Sequence, residues 1–426
     1  MKPEENKKKV AIAERNVVGS DSWVKLDQEY KNSKTDSEAW LSMFARSYVV
    51  WALLALLAVD TFCKLNWNNL RLDHYASPNR SMVWWTVDDF RKQKENPDLV
   101  VIGSSLMMHA LHGGDAEYLK LPQNEVMHHR CAMLEDLIQK KTGVKVKSFA
   151  FALAGQMASD AYALSTTLLS ERKPKMIVYG IAPRDLMDNT LDSPASTEIF
   201  KFMGKLGGTK DCAWQARHGL WEKTEYILEQ ASALYDHRNY FVYLQQHYVH
   251  NLLRLFGHKY TDEVHTPFAL RRLTLLDLPE DIGSNERIAL PNLEVKFVDN
   301  SDEYRRRYQP FKQNKFQEQV DYLAKLMAYC QNEGIKLVLV NMPLTDDNIA
   351  LMPAGTYDLY KRTVSTLASR YNDRFIDLQD SKLFPKKLYC DTAHMSGYGG
   401  VVFFNSLADR LTDGSQIAAG TNGSWQ

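Results

Sequence analysis

The hydrophobic pattern opens on one long apolar run and then changes to short ones. Residues 47–63, SYVVWALLALLAVDTFC, stand between Arg46 and Lys64 and carry a single charge, Asp60, near the far end. That length meets the minimum for a helix crossing a bilayer, about 17–25 mostly apolar residues. Trp40, Trp51 and Trp67 sit toward its ends, where amphipathic rings favour the headgroup zone. The pattern predicts a transmembrane helix over 46–66, with a buried core helix as the alternative reading. A cleaved signal peptide does not fit, because the leader is too long and no small-x-small cleavage site follows. Basic residues flank both ends (Lys31, Lys34 and Arg46 against Lys64, Arg71 and Arg80), so charge does not set the orientation. The polar, charge-mixed start predicts a disordered cytoplasmic tail over 1–45, with the remainder on the outer side.

Past a linker or cap at 67–97 the apolar runs shorten. DLVVIG (98–103), VKVKSFAFA (144–152), KMIVYGIA (175–182), KLVLVNM (336–342) and RFIDL (374–378) read as strands buried on both faces. Helix-period stretches fall at about 125–142, 157–171, 315–333, 356–371 and 399–411. Gly143 and Gly334 stand where helix C-caps are expected. This alternation predicts an α/β domain with a mostly parallel sheet and helices on both sides. Its two parts span 98–186 and 314–412.

Between them, 187–313 breaks the rhythm and reads as a helical insertion. Its stretch at 224–257, TEYILEQASALYDHRNYFVYLQQHYVHNLLRLF, has helical spacing and many Tyr and His residues. It reads either as a surface for sugars, lipid headgroups or a partner, or as an amphipathic helix packed on its own domain. The Gly/Ser/Asn-rich end, 413–426, reads as a flexible tail.

Composition adds exclusions. At 45% apolar and 24% charged the chain is an ordinary globular type, not a low-complexity one. Its 52 basic and 52 acidic side chains cancel, which argues against a nucleic-acid partner held by bulk electrostatics. Cys63, Cys131, Cys212, Cys330 and Cys390 form no C-x-x-C pair, so a zinc ribbon and a thioredoxin motif are excluded. P-loop, dinucleotide, H-E-x-x-H and EF-hand patterns are missing, and the chain is expected to use no cofactor and no metal.

Active sites in parallel α/β sheets form at the carboxyl ends of strands. The residues there are Gly103-Ser104-Ser105, Ala154-Gly155-Gln156, Ala182-Pro183-Arg184-Asp185 and, ahead of the last helix, Asp391-Thr392-Ala393-His394. Singly, each has a plain structural reading: a helix N-cap for the serines, a surface turn for Asp-x-x-His. Together they supply a hydroxyl, a base, a carboxylate and N–H donors, the set that acyl transfer needs. His109 and His112, four and seven residues beyond Ser105, are rival bases with structural readings of their own.

In this order the blocks resemble those of the SGNH (GDSL-like) hydrolase superfamily, in particular its membrane-anchored branch that acylates bacterial envelope polysaccharides and teichoic acids. The resemblance implies a flavodoxin-like three-layer sandwich. DLVVIGSSLM is similar to the first block and makes Ser105 the nucleophile, with its N–H in the oxyanion hole. SFAFALAGQMASD is similar to the second, whose glycine, Gly155, gives an N–H to the oxyanion. DTAHMSGYGG is similar to the last and supplies Asp391 and His394. The third block normally carries an asparagine donor, and Tyr179–Asp185 has none. Arg184 reads either as a stand-in for that donor or as an ion-pair partner of Asp185 or Asp188. The resemblance implies a membrane-tethered serine esterase or O-acyltransferase acting on an extracellular polysaccharide or other acyl ester, beside a multi-pass membrane acyltransferase. Two alternatives stand next to it: a catalytically silent assembly protein of an acylation or export complex, and a lipid acyl hydrolase.

Overall fold

The apolar runs build strands where each finds a partner along its length, and the pairing trims their ends. The computed structural model describes residues 43, 45–71, 75, 81–257, 288–292 and 296–413. The tails expected over 1–45 and 413–426 therefore lie almost wholly outside the described residues, as does 258–287 of the expected insertion. The chain divides into two compact units, one of residues up to Leu70 with Ser232–Leu234, the other of Arg71–Ala231 with the chain from Tyr235 onward.

The first unit is built on α1 (Tyr48–Leu70). Its most apolar window has a mean hydropathy of 1.8, and only 6% of that window is buried. It is long and apolar enough to cross a membrane. That exposure contradicts the core-helix alternative. The helix runs on to Leu70 rather than ending at 66, since no glycine or proline interrupts KLNWNNL.

The second unit holds a five-stranded parallel sheet: β1 (Leu99–Gly103), β2 (Ser148–Ala152), β3 (Met176–Ile181), β4 (Lys336–Asn341) and β5 (Arg374–Asp377). Their order across the sheet is β2-β1-β3-β4-β5, the flavodoxin-like order. All the pairs are parallel, with Gly103 opposite both Ala152 and Gly180. The α/β expectation holds. The strand expected from 144 begins only at Ser148, because its neighbour β1 starts at Leu99 and leaves 144–147 little to pair with. Val100, Ile102, Val178 and Leu339 are fully buried, as strands covered on both faces require.

Helices α2 (Met82–Lys92), α3 (Ser105–Leu119), α4 (Ala132–Thr142), α5 (Ala158–Leu164), α6 (Glu198–Lys205), α7 (Leu220–Ala231), α8 (Arg238–Leu255), α9 (Ser301–Tyr308), α10 (Gln313–Glu333), α11 (Thr356–Tyr371) and α12 (Gly397–Thr412) surround the sheet and its connections. Helices α3, α4 and α12 pack together as one group, and α5, α10 and α11 as another. Several boundaries shift from the expectation. Helix α4 starts at 132 rather than 125, since Asn124 pairs with Ile288 and its side chain turns the backbone by bonding Val126 N–H at 2.9 Å. The 157–171 helix becomes α5 followed by a wider turn at Ser165–Leu169, and the 224–257 stretch breaks after Ala231. Within the expected linker, α2 buries Val83, Trp84, Val87 and Phe90, the last edge-on to Phe149 and Phe151 of β2.

Helices α3 and α12 approach closely through glycines. A Cβ on Gly400 would lie 2.2 Å from the Ala110 carbonyl oxygen and 2.8 Å from Gly114 N; one on Gly397 would lie 2.9 Å from the Gly113 oxygen. Backbone on both sides leaves nothing that can swing away. Gly400→Ala is therefore expected to cost about 1–3 kcal/mol by overpacking, read as a lowered Tm of the detergent-solubilised protein. Asn405→Ala, on the exposed side of the same helix, should leave Tm nearly unchanged.

Candidate active site

The close helix pair brings the start of α3 against the loop that leads into α12. Ser104 occupies the N-cap position of α3 without a capping bond from its side chain, and Ser105 is the first helical residue. The N–H of Ser105 is thus one of the donors that a helix leaves without an internal acceptor, and its hydroxyl is free for other work.

Within the loop, Asp391 Oδ1 accepts the backbone N–H groups of Ala393 (2.8 Å) and His394 (2.7 Å), a tight turn of the kind Asp favours. Its Oδ2 lies 2.7 Å from His394 Nδ1, and His394 Nε2 lies 2.8 Å from Ser105 Oγ. With Nδ1 donating to the carboxylate, Nε2 is left to accept from the serine hydroxyl. Burial alone would raise the Asp391 carboxyl, but the His394 bond and charge and the two N–H groups outweigh it and hold Asp391 below its ordinary value. A carboxylate bonded to Nδ1 fixes the orientation of the ring and leaves Nε2 turned to the hydroxyl. Ser105, 289 residues before His394, joins the neighbouring His394 and Asp391 in one hydrogen-bonded series.

Other residues hold the loop. Asn300 Oδ1 accepts the Thr392 N–H (3.1 Å) and hydroxyl (2.6 Å), and the Thr345 hydroxyl donates to the Thr392 carbonyl at 2.6 Å. Val298 N–H donates to the Cys390 carbonyl at 2.8 Å. Tyr304 of α9, 3% exposed, sets its ring edge-on to His394 with centroids 6.4 Å apart. Those from Asn300, Val298 and Tyr304 come from the interval read as an insertion, where nothing in the spacing marked them.

The second block places Gly155 at φ +83°, a conformation suited to glycine. Gln156 Oε1 accepts the Gly103 N–H at 3.0 Å and so ties this turn to the end of β1. Arg184, 6% exposed, makes the ion pairs of its second reading. Its Nε bonds Asp188 at 3.1 Å and its NH1 bonds the Gln156 carbonyl at 2.9 Å, with Asp185 at 3.4 Å. Its NH2 lies 3.8 Å from where a Cβ on Gly155 would stand. Arg307 of α9 is a second cation on Asp188. Burial opposes charge on Asp188, but Arg184 and Arg307 together hold its carboxyl below the ordinary value.

The bond to Ser105 Oγ is made by His394. Of the rival histidines, His109 sets its ring at a tilt to that of His394, with centroids 4.6 Å apart. His112 is buried and bonds the His128 carbonyl at 3.0 Å, and desolvation lowers it to about 3, which keeps it neutral. Among the described residues no group of three or more His, Cys, Asp or Glu is placed to hold a metal ion.

No protein-family model matches the chain, and no curated protein matches it. Among solved structures, a catalytic mutant of the acetylxylan esterase Axe2 from Geobacillus stearothermophilus is similar at 13% identity, over 75% of this chain and 96% of that one, with a TM-score of 0.35. An identity that low gives no basis for carrying residues across.

One buried acid beside the site makes a test of its electrostatics. Asp160 of α5 accepts the Met157 N–H at 2.8 Å and the Thr197 hydroxyl at 2.5 Å. Burial pushes its carboxyl up to about 7 despite those bonds and the Arg184 charge. With the folded value above the ordinary 3.8, the stability it contributes is complete below the ordinary value and is lost as pH rises through about 7. Asparagine resembles the protonated acid at every pH. The Tm of Asp160→Asn relative to wild type should therefore climb between about pH 4 and pH 8; a constant difference would contradict the raised carboxyl.

Proposed function

We propose that the chain is a membrane-tethered serine acyl esterase or O-acyltransferase acting on an envelope or extracellular polysaccharide. The observation that carries the proposal is the hydrogen-bonded series Ser105–His394–Asp391, with bonds of 2.8 and 2.7 Å. His394 Nε2 takes the Ser105 proton as Oγ attacks the ester carbonyl, and Asp391 steadies the imidazolium. The negative oxygen of the tetrahedral intermediate is met by the N–H groups of Ser105 and Gly155, with Arg184 supplying positive charge in place of the missing asparagine. When the intermediate collapses, the departing alcohol takes the proton from His394. Water or a sugar hydroxyl then attacks the acyl-serine by the same steps in reverse.

The apolar helix α1 supports tethering, and with it a partnership with a multi-pass membrane acyltransferase that delivers the acyl group. In this reading 1–45 lie in the cytoplasm and the large unit outside. Protease added to intact spheroplasts should digest the large unit and spare the tail; the reverse pattern would rule out acylation outside the membrane.

Ester release from a small aryl acetate, with the acyl content of the cell's exopolymer followed in parallel, tests the chemistry. Ser105→Ala and His394→Ala should each remove nearly all activity above background while the protein stays folded in the membrane. Equal activity in wild type and both variants would favour the silent assembly protein. Loss of aryl acetate hydrolysis with unchanged polymer acylation would point to a lipid substrate. Arg184→Met, which removes both the charge and the donors, should lower kcat by about 10²–10³ with KM little altered, as when an oxyanion donor is lost. If Arg184 serves only its ion pairs, Tm falls instead and the kcat of the folded protein holds.

A further inference from the structure

Helix α7 is amphipathic the wrong way round for a soluble protein. Leu220, Trp221, Thr224, Ile227, Leu228 and Ala231 repeat at the spacing of one helical face. That face is the exposed one: Leu220 is 85% exposed, Trp221 70% and Ile227 54%. The acids of the helix point the other way, into bonds. Glu222 accepts the Ser193 hydroxyl at 2.7 Å and the His218 N–H at 2.8 Å, and Glu225 pairs with Arg238. Helix α8 repeats the theme, with Val242, Val249 and Leu252 exposed along it. A contiguous apolar face turned outward marks a surface that something covers.

The joint between the two helices says what covers it. Ser232–Leu234, directly after α7, form one compact unit with α1. The Ser232 hydroxyl and the Leu234 N–H both bond Asp60 Oδ1, at 2.7 and 2.8 Å. Asp60 is the one charge in the apolar run and precedes Lys64 by four residues, about 6 Å along a helix. That is the depth at which interfacial helices lie, about 5–10 Å into the headgroup and acyl boundary. Chain connectivity brings the end of α7 to that depth. Trp221 among aliphatic side chains suits it as well, since such rings favour the interface.

We propose that α7 and α8 form a second membrane-contacting element, their outward apolar faces seated in the headgroup and acyl boundary of the lipid bilayer, with the Ser232–Leu234 connection between them bonded to Asp60 of the spanning helix. The inference rests on α1 crossing the membrane and is independent of the chemistry at Ser105. The two helices give the chain a second point of contact with the bilayer.

The full chain, reconstituted in phosphatidylcholine–phosphatidylglycerol vesicles containing nitroxide-labelled acyl chains, gives the test. Bimane is attached at Ile227→Cys, at Leu56→Cys within α1 as the reference, and at Ser369→Cys on the exposed side of α11 as the control; labelled wild type sets the background from native cysteines. Quenching at 227 should be several-fold stronger than at 369 and approach that at 56. Quenching at 56 but not at 227 overturns the proposal. So does a label at 227 that is shielded from aqueous iodide yet unquenched by lipid, which would mean that a protein surface, such as a second copy, covers the face. Without quenching at 56 the membrane reading falls with it, leaving the chemistry untouched.

Discussion

Everything at the site depends on how closely two helices can approach. Helix α3 begins with Ser105 and α12 begins just after His394, so the distance between the helix axes sets the distance between hydroxyl and imidazole. Gly113, Gly114, Gly397 and Gly400 let backbone meet backbone there, with no room for a methyl group at Gly400. Side chains of ordinary size would hold helices about 8–10 Å apart. The glycines of DTAHMSGYGG thus serve the site through packing, without touching a substrate.

The rest of the site is held from several elements. The loop carrying Asp391 and His394 is bonded by Asn300, Thr345 and Val298, and Tyr304 backs the imidazole ring. On the opposite side Gln156 joins the β1 end to the Gly155 turn and, through its carbonyl, to Arg184. Arg184 is in turn shared between Asp188 and Asp185, and burial pushes Asp185 up to about 6 against the pull of that cation. A buried cation tied to acids keeps its position, and its remaining nitrogen, NH2, lies 3.8 Å from where a Cβ on Gly155 would stand.

The sheet was legible because each strand is a short, nearly unbroken apolar run, a pattern that needs cover on both faces. The Ser, Gly and Asp/His positions were legible because strand ends in such a sheet are where chemistry sits. Other parts were not. Helix α2 hides in the expected linker, since eleven residues give too few periods to stand out. Asn300, Tyr304 and Arg307 lie in the interval set apart as an insertion, and helical spacing alone does not tell which loop they will brace. The glycines of α3 and α12 serve a tertiary approach that no local pattern encodes. The outward apolar face of α7 was equally hidden, because periodicity marks a stripe without saying which way it faces.

The most direct test of the central claim is to ask which atom reacts. The full chain in detergent, treated with a fluorophosphonate, should gain the mass of one phosphonyl group, and peptide mapping should find it on Ser105 alone. Pre-treatment with an aryl acetate at low pH, where deacylation slows, should slow that labelling. No adduct on folded protein, or an adduct on another residue with Ser105 unmodified, would contradict the account.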